Sequence, residues 1–324
     1  MRALKGVLKA CLDLAEKHRN TVMAGRTHSR QAVPITFGFK AAIWATEFSR
    51  SIERMREAEP RLFVGNLTGA AGTFAAMAPK AEEGPRIESL VMKELGLRTF
   101  PICWHSSRDV RAEYAAILAI IATTIGKITN EVYQLGRTEI QELDEPIPEG
   151  TVGSSTMPGK RNPATCEELI TLSFQARRLA DLSCDGMIVN NERDMGWPIS
   201  DSGVHILIMI VSKMLDWAKW LLEGLVVNTE NMKRNINEML MTEALMIRLA
   251  EKAGRQTAHE LVSEAVKKCL SEGKSLRAAV LENNEIMEHM TVAEVDRAID
   301  PANYIGAIPS IVDNVVKKLR PMIR

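Results

Sequence analysis

The longest run of regularly spaced apolar residues in the chain follows Arg111. Apolar side chains recur there at steps of three and four, which places them on one face of a helix longer than about 20 residues. Small alanines at positions 115, 119 and 122 flank this seam and permit close approach of more than one neighbouring helix, as at the centre of a bundle. The seam consists of Tyr114, Leu118, Ile121, Ile125, Ile128, Val132 and Leu135.

Three further segments carry the apolar spacing of long helices, at about 37–57, 162–182 and 202–225. The last segment is apolar nearly all round at its start, which is typical of a helix inside an assembly. We therefore expect a homo-oligomer with these helices at its centre. Alternating β-branched runs are scarce, whereas alanine, leucine, glutamate and lysine are plentiful. The pattern predicts an all-α fold built around a long central helical bundle.

The pattern changes after Asn228. The predicted helices become shorter and more charged there, with breaks at Gly254, Gly273 and Pro301. We therefore predict a central helical-bundle domain over residues 1–227 and a small helical carboxy-terminal domain over residues 228–324.

The charge balance argues against large anionic partners. Among 324 residues, 41 lysines and arginines offset 41 aspartates and glutamates, and no strongly basic block is present. The sequence therefore favours a small molecule or a protein as partner over nucleic acid. The largely apolar run at 204–211 is followed by Lys213 and Asp216, well short of the roughly 20 residues that span a bilayer. We expect no membrane span.

The cysteines indicate a reducing environment. All five are far apart and lack the spacing of a metal site, so we expect reduced thiols and no bound metal. Residues 1–10 lack the apolar run of a signal peptide. Together these features predict a cytoplasmic protein.

One polar segment interrupts the predicted helices. Residues 150–163 form a loop that contains the sequence GSSTMPGKRNP from position 153 onwards, in which glycines and prolines break any regular element. Such a loop contributes little to a core, and between helices it usually positions groups for a ligand. Its two hydroxyls, lysine and amide favour chemistry on an anion. The alternative is a solvated loop whose hydroxyls contact only water.

Three other polar clusters lie where long helices are expected to begin or end. They read GRTHSRQ at 25–31, NLTGAAGT at 66–73 and WHSSRD at 104–109. In the first cluster, Thr27 can bind a carboxylate oxygen and His28 can exchange protons near neutral pH. A histidine that only caps or hydrogen-bonds the turn is the alternative.

The second and third clusters allow two interpretations each. The glycines at 66–73 let the backbone approach a ligand, with amides expected to precede a helix, or they only allow close helix packing. In the third cluster, Arg108 can offer a forked pair of donors to a carboxylate, with Asp109 holding the fork. The alternatives there are an Arg108–Asp109 contact without a ligand, and Ser106 or Ser107 as the helix N-cap.

Taken together, these segments resemble the fumarase/aspartase superfamily, whose lyases eliminate a group β to a carboxylate. Residues 153–163 match its pattern G-S-S-x-x-P-x-K-x-N, and the clusters at 25–31 and 66–73 look like its other two characteristic regions in their usual order. The likeness is greatest to the branch that contains adenylosuccinate lyase and 3-carboxy-cis,cis-muconate cycloisomerase. The segments that point to this branch are 25–28, 104–109, 137–140 (RTEI) and 157–163.

The resemblance implies a cofactor-independent carbanion mechanism. A proton is removed next to a carboxylate, and a nitrogen or oxygen leaving group departs from the neighbouring carbon. The resemblance implies Ser154 as the base, whose alkoxide needs nearby positive charge and N–H groups, and His28 as the acid that protonates the leaving group. It further implies that Lys160 and Asn162 hold the carboxylate. The residues expected to orient the substrate are Thr27, Thr68, Ser155 and Arg108.

The expected partner is a small di- or tricarboxylate substrate, bound at sites that the subunits of a homotetramer share. The chain departs from adenylosuccinate lyases at Ser29 and Arg30, where those enzymes usually carry Gly-Gln. We hypothesise that Arg30 binds an additional substrate carboxylate. Asn191 replaces the histidine of a His-Glu-Arg-Asp motif, and residues 195–202 lack the arginine that usually grips a nucleotide phosphate.

These departures make a nucleotide substrate less expected. Our leading expectation is activity like that of 3-carboxy-cis,cis-muconate cycloisomerase, supported by the likeness of residues 196–197, 254–260 and 300–306 to that side of the branch. Adenylosuccinate lyase is the alternative, and an inactive structural homologue is a further one. The role of His105 is left open. The resemblance also implies a small domain ahead of the first cluster, for which residues 1–20 leave no room, so we expect a truncated chain.

Overall fold

The computed structural model describes most of the chain. Its described residues are 1–77, 79–102, 105–147, 157, 160–188, 191–192 and 198–324, with the backbone alone for 198–202. The described part is mostly α-helical, and the predicted all-α class is confirmed. The α-helices in the described residues are α1 (Arg2–Lys17), α2 (Phe37–Leu62), α3 (Gly84–Glu94), α4 (Asp109–Leu135), α5 (Ala164–Asp185), α6 (Pro198–Glu223), α7 (Thr229–Arg234), α8 (Thr242–Ala253), α9 (Arg255–Glu272), α10 (Leu276–Leu281), α11 (Asn284–His289), α12 (Val292–Ile299) and α13 (Ile308–Leu319).

The centre of the molecule is a bundle of long helices, α1, α2, α4, α5 and α6. The predicted apolar seam lies on α4, and every member except the half-buried Tyr114 is buried in this bundle. Gly126 faces α5 so closely that an added Cβ would lie 2.4 Å from Ser173 Oγ. Of the alanines predicted beside the seam, Ala115 and Ala122 are fully buried, and Gly126 adds a further close approach that the sequence analysis did not name.

The predicted helix positions are confirmed, with different ends. The segment predicted at 37–57 extends to Leu62 and includes Pro60 in its final turn. Helix α2 begins after Thr36, whose hydroxyl accepts the N–H of Phe39 at 3.1 Å. The N-cap interpretation of Ser106 or Ser107 is wrong. The N-cap of α4 is Arg108, and its side chain makes no capping hydrogen bond.

Among the described residues, one helix, α4, is long and apolar enough to cross a membrane. Of its most apolar stretch, 56% is buried inside the molecule. The bundle helices surround that stretch, as they surround the core helix of a globular protein.

A β-hairpin precedes α2, and the sequence did not predict it. Strand β1 (Val22–Thr27) pairs antiparallel with β2 (Arg30–Thr36), with a register shift between Ala24 and Arg26. Gly25 lies at this shift, where an added Cβ would approach the carbonyl oxygen of Val33 to 2.6 Å. The other sheet in the described residues is a two-residue pairing of β3 (Leu143–Asp144) with β4 (Val226–Val227).

A second, smaller apolar core follows the bundle. It is formed by α8 to α12 with the flanking segments between Met239 and Tyr304. Helix α13 then returns to the bundle and packs on α1 and α2. Arg19 binds the carboxylate of Asp313 through one nitrogen at 2.9 Å, and Arg320 binds Asp13 at 2.5 Å. The division of the chain at 227/228 stays a prediction.

Candidate functional site

The hairpin turn presents His28 to the surface. Thr27 and Arg30 are the last cross-strand partners, so His28 and Ser29 form a two-residue connection. Both connecting residues have positive φ, 50° and 60°, as in the type I′ turn that fits the strand twist. The side chains of all four residues are exposed. The polar first cluster is therefore the tip of a hairpin, with an imidazole, a hydroxyl and a guanidinium side by side.

Four residues linked by hydrogen bonds and by the pairing of the two strands form a ring directly behind this turn. Arg26 binds Glu142 through two nitrogens, at 2.9 and 2.6 Å, and the Glu142 side chain is 0% exposed. Asn235 Nδ2 donates to Glu142 Oε1 at 3.1 Å. Gln31 Nε2 donates to the Asn235 carbonyl at 2.7 Å. We call these four residues the anchor ring. Sequence reasoning missed it, because nothing in the sequence distinguishes a buried pair 116 residues apart from two solvated charges.

The anion-binding candidates lie at the carboxyl end of the signature loop. Ser154 and Ser155 lie outside the described residues. Lys160 and Asn162 are both exposed, and the Lys160 N–H donates to the Met157 carbonyl at 3.0 Å. Helix α5 begins two residues after Asn162. The lysine and the amide thus stand at the start of a long bundle helix, on a backbone turn.

The two ends of the signature loop are held together by Glu145. Its carboxylate accepts the N–H groups of Thr165 at 3.2 Å and Cys166 at 3.0 Å, in the first turn of α5. A carboxylate at a helix N-terminus satisfies free N–H groups and interacts favourably with the helix dipole. Burial, together with the charge of Glu145, raises the pKa of the Cys166 thiol, so this cysteine stays protonated.

The second and third clusters meet through His105. Its Nε2 lies 3.0 Å from the Gly69 carbonyl oxygen, and Asn66 Nδ2 lies 3.2 Å from its Nδ1. These contacts fit a tautomer with the proton on Nε2. Thr68 Oγ1 donates to Asn66 Oδ1 at 2.9 Å and is buried. His105 therefore contacts the loop that carries Thr68, which is a structural role the sequence left open.

The helix that was expected directly after the second cluster, residues 66–73, does not begin there. A 3₁₀ turn (Ala75–Met77) follows it, and α3 begins only at Gly84. Gly69 and Gly72 have φ of 79° and 81°, so these glycines shape a turn rather than a helix N-terminus. Arg108, half-buried at the start of α4, stays a predicted carboxylate ligand.

Within the described residues, no hydrogen bond or ion pair joins His28 to Thr68 or to Lys160. The candidate residues lie on three elements: the hairpin, the loop beside His105, and the start of α5. Among described side chains, no group of three or more His, Cys, Asp or Glu could hold a metal ion. Sites completed by several subunits stay a prediction.

Comparisons with known proteins give the family. Residues 1–177 match the lyase family model, and residues 238–315 match the model for the adenylosuccinate lyase C-terminus. The chain is 42% identical to N-acetyl-S-(2-succino)cysteine lyase from Dickeya dadantii, over 94% of this chain and 67% of that protein. It is 41% identical to adenylosuccinate lyase from Pyrococcus abyssi, over 100% of this chain and 72% of that protein.

A solved structure shares the fold. The 3-carboxy-cis,cis-muconate lactonizing enzyme from Pseudomonas putida superimposes with a TM-score of 0.91 at 30% identity, over 99% of this chain and 72% of that one. The lyase family model spans both the hairpin and the signature loop. The chain therefore belongs to the fumarase/aspartase superfamily of lyases, in the branch of adenylosuccinate lyase and 3-carboxy-cis,cis-muconate cycloisomerase.

Proposed function

We propose that this chain eliminates a group β to a substrate carboxylate without a cofactor and leaves an unsaturated dicarboxylate. The base, Ser154, takes the proton from the carbon next to the carboxylate. The electron pair of that C–H bond forms the double bond, and the bond from the neighbouring carbon to the leaving group breaks. Lys160 and Asn162 bind the carboxylate while it carries the enolate charge. His28 gives its proton to the leaving atom.

The exposed His28 turn is the observation that carries this proposal. An acid that protonates a leaving group must reach it from a fixed direction, within hydrogen-bond distance. The turn places the His28 imidazole beside a hydroxyl and a guanidinium at the tip of a hairpin whose base is hydrogen-bonded. A histidine with only a capping role would bond to its own turn. His28 makes no hydrogen bond within the described residues.

The substrate that we favour is a 2-succino thioether, with a thiol as the leaving group. The relatives from Dickeya dadantii and Enterococcus italicus, at 42% and 39% identity, are both N-acetyl-S-(2-succino)cysteine lyases. Adenylosuccinate lyases are nearly as similar. However, Asn191 and the absence of arginine from the sequence at 195–202 leave this chain without the phosphate ligand that the resemblance implies.

A second candidate is the cycloisomerase reaction, in which a carboxylate adds across a double bond. The TM-score of 0.91 to the lactonizing enzyme favours it, as do the segments at 254–260 and 300–306. The carbon chemistry is the same, and the leaving atom is oxygen. The two candidates differ in how strongly they need an acid. In the lactone-opening direction the leaving group is a carboxylate, which departs readily as its anion. A thiolate, whose conjugate acid has a pKa of about 8.5, is the more basic leaving group and gains more from protonation by His28.

The test measures product formation by ultraviolet absorbance with three substrates: N-acetyl-S-(2-succino)cysteine, adenylosuccinate and 3-carboxy-cis,cis-muconate. We expect the thioether to be cleaved fastest. Ser154→Ala and Lys160→Met should each reduce kcat by about 100-fold or more. Arg161→Met is the matched control, because it removes a neighbouring exposed cation outside the signature pattern, and should change kcat less than about 3-fold. Full activity of Ser154→Ala would refute the proposed base.

The position of Arg30 indicates how the leaving group of the substrate is recognised. It lines a cavity of about 400 Å³ between β2 and residues 237–240, together with Met239 and Leu240. Arg30 makes no hydrogen bond or ion pair with a described residue. We propose that it binds the carboxylate of the leaving thiol. Arg30→Gln should raise KM about 10-fold or more for the N-acetylcysteine thioether and leave KM unchanged for a thioether of mercaptoethanol.

A further inference from the structure

The anchor ring includes both strands of the hairpin, and the pairing of those strands completes it. Arg26 and Gln31 are direct cross-strand partners, one pair behind Thr27 and Arg30. Arg26 reaches Glu142, Gln31 reaches Asn235, and Asn235 joins the two by donating to Glu142. The ring therefore forms hydrogen bonds to both strands of the hairpin, immediately behind the turn that carries His28.

The far side of the ring is fixed by the backbone. The Glu142 N–H donates to the Leu135 carbonyl at the end of α4, and its carbonyl accepts the N–H of Asn228. Asn235 Nδ2 also donates to the Ile140 carbonyl at 2.6 Å. Glu142 lies just ahead of the signature loop, and Glu145 binds the start of α5 beyond it. One short segment thus contacts the hairpin, the end of α4 and the helix that follows the loop.

The hairpin needs such a support, because its own ladder is irregular. The register shift at Gly25 interrupts regular pairing just before Arg26, and a two-stranded hairpin is marginally stable by itself. Both turn residues also occupy φ values that L side chains disfavour. The turn keeps this shape only where surrounding contacts determine it.

We propose that the anchor ring is the positioning device for His28, with Arg26 and Glu142 as positioning residues that fix the acid relative to the signature-loop segment. This inference rests on the proposed role of His28 as the acid. Misplacing a catalytic group by about 1 Å can cost on the order of 100-fold in rate. The bidentate Arg26–Glu142 ion pair is directional, so it can hold the turn in one position more closely than apolar contacts can.

The test separates positioning from folding. Breaking a buried pair by removing one partner leaves an uncompensated charge, but replacing both partners with apolar residues of similar volume often preserves stability. We therefore use the double variant Arg26→Met/Glu142→Leu, in wild type and in His28→Ala, with the best of the three substrates above. Arg19→Met is the matched control, since Arg19 also joins distant segments through a carboxylate, Asp313, but away from the hairpin.

The positioning role predicts non-additive losses. The double variant should lower kcat by about 10- to 100-fold with KM changed less than about 3-fold, and should lower it less than about 3-fold further once His28 is alanine. Arg19→Met should leave kcat within about 3-fold in both backgrounds. Full additivity with His28→Ala would overturn the positioning proposal. If His28→Ala alone left kcat unchanged, the proposed role of His28 would fail instead.

A measurement without turnover completes the test. Hydrogen exchange in the full-length double variant should speed up at the hairpin amides of residues 22–36, while the protection of α4 and α5 is kept. Unchanged hairpin protection would refute the anchoring role even if activity fell. Recovery of kcat and protection in the swapped pair Arg26→Glu/Glu142→Arg would support a specific ion pair, and would not be expected from a purely volume-filling role.

Discussion

At the residue scale, the hairpin turn formed by His28 and Ser29 has a strained backbone at Ser29. The resemblance places a glycine at this position in adenylosuccinate lyases, and the φ of 60° here gives the physical reason. A left-handed residue with a Cβ costs roughly 1–2 kcal/mol, whereas glycine loses about 0.5–1 kcal/mol more chain entropy on folding. We therefore expect Ser29→Gly to stabilise the protein by about 0.5–1 kcal/mol, measured by urea denaturation.

The control for Ser29 is a serine in ordinary helical conformation. Ser263 lies within α9 and donates to the His259 carbonyl at 2.6 Å. Ser263→Gly should destabilise the protein by about 0.5 kcal/mol, the opposite sign, because glycine is the poorer helix former. Equal destabilisation by both substitutions would mean that the turn at Ser29 carries no strain.

At the element scale, the signature loop depends on the start of α5. Glu145→Gln keeps one carbonyl oxygen near Thr165 and Cys166 but loses the charge that interacts with the helix dipole. We expect a loss of about 1–2 kcal/mol in the free energy of unfolding, together with a lower kcat from a less ordered loop. Thermal and urea denaturation measure the first, and the assay above the second.

The exposed Glu167 in the same first turn is the comparison for Glu145 in the stability measurement. It makes no hydrogen bond through its side chain to the described backbone of α5. Glu167→Gln should change the free energy of unfolding by less than about 0.5 kcal/mol. A loss of stability as large as that of Glu145→Gln would contradict the capping role.

His18 makes the junction of α1, the hairpin and α2 sensitive to pH. It ends α1, packs its ring edge-on against Phe37 at 5.3 Å, and lies 3.1 Å from Thr21 Oγ1 through Nδ1. Burial, and then the charge of Lys17, hold the pKa of His18 below its usual 6.5. The unfolded chain therefore binds a proton first, and stability falls as pH drops below about 6.5.

The expected slope for His18 is at most about 1.4 kcal/mol per pH unit below that point. His18→Gln, which can still bond Thr21, should remove this component from the pH dependence of urea denaturation. The exposed His259 on α9 is the matched control, and His259→Gln should leave the pH dependence as in wild type. An unaltered slope in His18→Gln would show that another group titrates.

At the scale of the whole molecule, the central bundle exposes apolar side chains that its own chain leaves uncovered. Phe174 on α5 is 55% exposed and Met209 on α6 is 65% exposed, and Ile43 on α2 and Ile120 on α4 are also exposed. Apolar side chains exposed on the long bundle helices are candidates for an interface between copies of the chain. We expect a homotetramer, in which copies of this chain cover these faces, to be seen by size-exclusion chromatography with light scattering.

A charge placed on this face tests the predicted assembly. Phe174→Glu should shift the population towards smaller species, because a carboxylate buried between helices lacks a partner. Leu270→Glu is the control. Leu270 is 77% exposed, and it lies on α9, a helix of the smaller core and not of the central bundle. A wild-type monomer would refute the shared-site arrangement. Equal dissociation by both substitutions would place the interface elsewhere.

The sequence alone determined the long helices and the family. The seven-residue seam predicted α4, because helical spacing of apolar residues records a buried face whatever that face contacts. The signature loop and the His28 cluster indicated the superfamily, because the residue types characteristic of that family recur there at the family's spacing. The helix ends and the N-cap of α4 were less well predicted, since a cap depends on one local hydrogen bond.

Only the tertiary structure decided how the His28 turn is held. The hairpin escaped prediction because its strands are short and interrupted by Gly25, and the strained φ of Ser29 has no signature in a serine. The anchor ring joins residues 26, 31, 142 and 235, which are brought together by the packing of the hairpin on the end of α4. The sequence alone does not distinguish a buried Arg26–Glu142 ion pair from two separate solvated charges. Desolvation, which distinguishes them, exists only once the chain has folded.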